Sequence, residues 1–181
     1  GGVRATRVRG QVAWEQADVG VYSYGGLHAL TGQQVASNSR FELGAGSFWQ
    51  ARRLADTQVE IGMNLGYQHY RRNLSGYTWG HGGYFSPQHL LALTVPVNWL
   101  GRSGRLSWGL QGSAGLQAYR EDAAPYFPTD GAAQASLESL AAQQRVPSAV
   151  YASRTDSGMV LNLGGAMEYQ LTRNLDIGTR L

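Results

Sequence analysis

The sequence predicts an all-β protein: an antiparallel transmembrane β-barrel, present as about seven strands with long external loops. Three observations predict it. Apolar and polar residues alternate with period two, the alternating segments run longer than soluble strands, and short connections alternate with long ones. Composition agrees, because 25 glycines, 10 tyrosines and 5 tryptophans suit strands and turns better than helices.

The first assignable strand runs from about Val19 to Leu30, with Tyr22, Tyr24 and His28 on one face. The stretch from about Arg7 to Trp14 supports no assignment from its pattern. TGQQVASNSR (31–40) then reads as a medium external turn. From Arg40 to Gln50, Phe41, Leu43, Ala45 and Trp49 oppose Arg40, Glu42, Gly44, Gly46 and Gln50. ARRLAD (51–56) is a short turn. From Gln58 to Tyr70, Val59, Ile61, Met63, Leu65 and Tyr67 oppose Gln58, Glu60, Asn64, Gln68 and Tyr70.

After the long loop RRNLSGYTWGHGGYFSPQ (71–88), Leu91, Leu93, Val95, Val97 and Trp99 face away from Ala92, Thr94, Pro96 and Asn98. The short turn LGRSGR (100–105) leads to a strand setting Leu106, Trp108, Leu110 and Leu116 against Gln111, Ser113, Gln117 and Tyr119. A very long loop, Glu121 to Thr155, carries a helix expected over Ala133 to Arg145, with Leu137, Leu140 and Ala141 on one face. Residues 158–171 set Met159, Leu161, Leu163, Met167 and Tyr169 against Asn162, Glu168 and Gln170, and LTRNLD (171–176) turns into a strand beginning at Leu175.

A tilted membrane strand needs about 9–11 residues to cross the hydrocarbon, whereas soluble strands usually have about 5–6. Trp49, Trp99, Tyr67 and Tyr169 fall near the ends of their apolar faces, where an interfacial girdle belongs. A closed bacterial barrel has an even number of strands, so the whole chain, 1–181, is expected to be part of one larger barrel domain. The amino terminus, GGVRATRVRG, has no signal-peptide pattern, and no apolar run approaches the roughly 20 residues of a membrane helix.

Several function classes are disfavoured. There are no cysteines, and His28, His69, His81 and His89 include no zinc-binding spacing, so neither metal nor other cofactor is expected. All 15 basic residues are arginines scattered near turns, too sparse for a nucleic-acid surface. GHGGYFSPQ (80–88) lacks the lysine and the strand–helix setting of a phosphate loop. A hydrolase using His81 or His89 with a nearby serine is the minor alternative. The preferred reading folds Tyr84 and Phe85 into the barrel mouth, with His81 beside them and Tyr126 and Phe127 from the longer loop, as a gate.

GHGGYFSPQ, preceded by NLSGYTW and accompanied by TGQQVASNSR and AYREDAAPYFPTD, resembles the carboxy-terminal domain of the cellulose synthase operon protein C family. That family supplies the outer-membrane exit pore for bacterial cellulose. The resemblance implies a barrel of about 16 strands, a preceding periplasmic array of tetratricopeptide repeats, an inner-membrane synthase complex as partner, outer-membrane lipid around the barrel and a β-glucan chain as cargo. The expected activity is passive export, with no residue of this chain catalytic. A neutral glucan needs hydrogen-bonding groups and aromatic platforms, and the expected lumen offers them: Tyr22, Tyr24 and His28; Gln58, Asn64, Gln68 and Tyr70; Gln111, Gln117 and Tyr119. The charges on that face are mixed in sign. A general porin for small polar solutes is the alternative cargo reading.

Overall fold

The computed structural model describes residues 2–180. Eight antiparallel strands form one sheet in chain order: β1 (Val3–Gln16), β2 (Val19–Gly32), β3 (Val35–Arg53), β4 (Thr57–Tyr70), β5 (His89–Ser103), β6 (Leu106–Glu121), β9 (Arg154–Thr172) and β10 (Leu175–Arg180). Between β6 and β9, β7 (Ala124–Pro125) pairs with β8 (Val150–Tyr151), and the helix α1 (Gly131–Ala142) lies between those two short strands. Among the described residues β1 and β10 are the ends of the sheet and do not pair with each other, as in a barrel wall that is not closed.

The register carries the alternation across every strand pair. Tyr22 stands opposite Gly46, which stands opposite Asn64, while Trp99 stands opposite Leu110. Polar positions therefore share one face and apolar positions the other. The apolar face is open: Met159 is 82% exposed and Leu163 81%. An apolar surface that spans the whole sheet uncovered is not a soluble protein's surface. Trp14, Trp49, Trp99, Trp108 and Tyr169 all fall on it at the short-turn end, and the Trp99 and Trp108 rings meet edge to face at 6.5 Å. Amphipathic rings gathered toward one end of an apolar face are what a membrane interface selects.

Three expectations need correction. The segment before Trp14 is a full strand, β1, so the sheet has eight strands rather than about seven. Only Val8, Val12 and Trp14 carry its apolar face, because Gly10 interrupts it and Arg4 and Thr6 precede it. TGQQVASNSR is not a medium turn: β2 and β3 pair up to Gly32 and Val35, leaving Gln33 and Gln34 as the bend, with Gln34 at φ 61°. The polar residues that looked like loop continue β3, held by the neighbouring loop through Ala36 N–H donating to the Gly80 carbonyl at 2.8 Å. The helix spans Gly131–Ala142 rather than Ala133–Arg145. It begins early because Asp130 caps it, accepting from Ala133 N–H at 2.9 Å, and it ends early because Gln144 turns to φ 57°. Leu137, Leu140 and Ala141 do share its half-buried face.

Candidate functional site

The polar face forms a wall with three zones, described here from the turn end to the loop end. Near the turns, a hollow of about 480 Å³ is lined from β3 to β10 by residues including Gln50, Gln58, Glu60, Asn98, Gln111 and Arg180. The carboxylate of Glu60 organises it, accepting from Gln50 Nε2 at 2.8 Å and from Asn98 Nδ2 at 3.1 Å, while Gln58 Nε2 donates to Gln50 Oε1 at 3.2 Å. Hydrogen bonds to an ionised acceptor are the stronger kind, so these amides are held in fixed orientations.

In the middle, Tyr22 reaches across β3 and donates to Asn64 Oδ1 on β4. Gly46 makes this possible: a Cβ there would lie 2.6 Å from the Tyr22 hydroxyl. Tyr24 lies beneath the Arg9 guanidinium, 4.0 Å from the ring centroid. Gln117 lies in the same cross-strand row as Tyr24, on β6. Gln68 faces Glu42 across β3 and β4.

At the loop end the wall is covered. His28 and Tyr70, expected to line the lumen, lie on the polar face but are only 7% and 8% exposed. His28 Nε2 is 3.2 Å from Glu42 Oε1, and Arg40 donates to Glu42 Oε2 at 2.8 Å and to the Tyr70 hydroxyl at 3.3 Å. The charge pairing thus runs along β3, with His28 joining from β2. Tyr84 packs on Tyr70 at 6.1 Å, and Phe85 meets the edge of Tyr119 at 4.8 Å. Both wall tyrosines at this end therefore serve as seats for the loops.

The two long loops interlock. The 71–88 loop has its own small core, with Leu74, Ser86 and Pro87 fully buried and Leu74 N–H donating to Ser86 Oγ at 2.7 Å. Buried Gln88 donates to the carbonyls of Tyr70 and Ser86 and accepts from Asp122 N–H at 2.7 Å, joining the base of one loop to the base of the other. Higher up, His81 Nε2–H donates to the Pro125 carbonyl at 2.8 Å, its ring edge against Tyr151, and Thr78 Oγ1 donates to the Tyr126 carbonyl. Gly80, at φ +94°, lets the backbone lie against Pro128 and Thr129, where any side chain would intrude. Tyr126 packs on Tyr151 with ring centroids 4.4 Å apart and planes tilted by 55°, and Phe127 N–H donates to Gln134 Oε1 on α1. Burial pushes the Tyr84 hydroxyl above its ordinary pKa; the hydrogen bond from Asn38 Nδ2, at 3.1 Å, offsets this in part, so the phenol stays neutral.

Sequence reasoning did not single out Gln88, Thr78, Leu74 or Gln134, whose roles depend on contacts between distant loops. Their only signal was their place beside glycine-rich turns. The hydrolase arrangement is not formed either: Ser86 Oγ accepts from Leu74 N–H, His81 bonds to the Pro125 carbonyl, and among the described residues no hydrogen bond joins the two side chains. His89 lies on the opposite, apolar face, where the Tyr67 hydroxyl is 2.8 Å from its Nδ1.

An antiparallel sheet with one apolar face, one polar face and interlocked loops at one end is part of a β-barrel wall. The family model described as cellulose synthase operon protein C C-terminus matches residues 1–181, and the chain belongs to that family. Among curated relatives, a cellulose synthase operon protein C of Pseudomonas fluorescens is 34% identical over 98% of the chain, and one of Xanthomonas axonopodis pv. citri is 37% identical over 100%. A cellulose synthase 2 operon protein C of Komagataeibacter xylinus is 37% identical over 98%. The chain spans 13% of the length of each of these relatives.

Proposed function

We propose that this chain forms part of the wall of a bacterial outer-membrane channel that exports a cellulose (β-1,4-glucan) chain, with no catalytic residue of its own. The observation that carries the reading is the wall itself, where oriented amides and phenols line a face whose charges are mixed in sign and in part paired. A neutral glucan presents hydroxyls at its rim and C–H groups on its ring faces, and such a wall can exchange hydrogen bonds with it at many equivalent positions. A channel selecting ions would more often concentrate one sign of charge at its constriction. The relatives' names, which tie them to cellulose synthase operons, support the same cargo. In the whole protein the chain's partners are then the glucan, the surrounding lipid, periplasmic repeats and the inner-membrane synthase. The interlocked loops act as the gate.

Tyr22 and Tyr24 are the wall tyrosines that no loop covers. Replacing both with alanine in the full protein should lower secreted cellulose more than ion conductance, since a sugar ring loses stacking worth about 1 kcal/mol per tyrosine while an ion loses nothing comparable. Equal losses for both cargoes would leave a general porin.

A further inference from the structure

The apolar face changes character at its loop end. There Tyr67, His69, His89, Arg71 and Arg120 replace the aliphatic residues of mid-strand. His89 stands directly opposite Arg120 across β5 and β6, and the His69 and His89 rings are 5.5 Å apart. The Tyr67 hydroxyl lies 2.8 Å from His89 Nδ1, and the other ring nitrogen, Nε2, makes no hydrogen bond among the described residues. Arg120 is 62% exposed at its side chain and pairs with Asp122. Arg71 makes no ion pair among the described residues. The surface therefore carries more positive than negative charge at the border between an apolar face and water.

Two shallow apolar furrows flank this cluster. One, of about 550 Å³, runs over Val8, Leu27 and Phe41 and has Arg71 and His69 at its rim; Ala29 and Ser39 sink its floor. The other, of about 410 Å³, runs between Leu91, Leu93, Leu116 and Met159. An unpaired arginine beside hydrocarbon is costly, whereas the same arginine at the headgroup level is attracted by anionic lipid.

We propose that this surface binds an anionic lipid bearing phosphate and several acyl chains, its phosphate held by Arg71, His89 and Arg120 and its chains lying in the two furrows. Guanidinium forks and an N–H donor match phosphate oxygens, and furrows on both sides suit a lipid with more chains than one groove can hold. The proposal rests on the membrane reading of the sheet and not on the identity of the exported cargo.

The test uses the full protein in dodecyl maltoside micelles, incubated with a diphosphorylated six-chain disaccharide lipid or with the same lipid lacking its phosphates, and read by native mass spectrometry. The phosphorylated lipid should remain bound. The Arg71→Gln and Arg120→Gln double variant should hold it about tenfold less well or worse, and the phosphate-free lipid should be held weakly by both. Equal retention of the two lipids, no change in the double variant, or furrows filled instead by a second copy of the chain would each overturn the proposal. A protein that stays monodisperse without detergent would overturn the membrane reading itself, which is a separate outcome.

Discussion

Arginine placed at Leu161 should prevent stable insertion into a bilayer, while arginine placed one residue later, at Asn162, should not. Leu161 is 70% exposed on the apolar face, opposite Ala114, which lies midway along β6 between Trp108 and Arg120. A cation on a barrel's lipid face at mid-depth costs about 2–4 kcal/mol, a large part of what holds such a sheet in the membrane. Asn162 points to the polar wall, where its Nδ2 donates to Ser113 Oγ at 3.1 Å, and a guanidinium there stays in water. Urea titration of the full protein folded into lipid vesicles measures the difference. Equal destabilisation by both substitutions would remove the inside–outside assignment.

Gln88→Ala should open the interlocked loops and raise conductance to small solutes in planar bilayers. The side chain serves two carbonyls and the Asp122 N–H in a buried site, and truncation leaves these groups without partners at about 1–3 kcal/mol each. Each 1.4 kcal/mol is roughly a tenfold shift between closed and open loops. Deleting residues 132–145 should act in the same direction but less strongly. That deletion removes Gln134, which bridges Phe127 and Ala149, but spares the contacts of His81 with Pro125 and of Thr78 with Tyr126. A conductance unaffected by Gln88→Ala, with the far-ultraviolet spectrum unchanged, would argue that the loops do not gate.

The strands were legible in the sequence because a sheet facing lipid on one side and water on the other has no second layer to blur its alternation. Every apolar position from Val59 to Tyr67 or Leu91 to Trp99 meets the same solvent, so period two survives intact. Strand β1 was obscured where Gly10, Thr6 and Arg4 leave too few apolar residues on its outer face. The extension of β3 through Ser37 and Asn38 was obscured for a different reason: these polar residues are strand because the 71–88 loop bonds to them, with Asn38 Nδ2 donating to the Arg72 carbonyl at 2.8 Å. Within the wall, parity assigned Tyr22, Tyr24, Tyr70 and Tyr119 to one face correctly. It could not distinguish the two tyrosines that no loop covers from the two under Tyr84 and Phe85, because that depends on how residues 71–88 fold back. The loop aromatics were recognisable as packing residues, whereas Gln88 looked like an ordinary polar residue at the start of a strand.

The most direct measurement places a photoreactive residue at Gln111 or at the adjacent Leu110 in the full protein, in cells making cellulose. Gln111 lines the hollow organised by Glu60; Leu110 borders the same hollow but carries its side chain on the other face, opposite Trp99, where it is 46% exposed. Illumination should join the protein to glucan at Gln111 and not at Leu110, giving a mass increase that cellulase removes. A cellulase-sensitive adduct at Leu110, or none at Gln111 while cellulose is being secreted, would contradict the assignment of the polar wall as the glucan path.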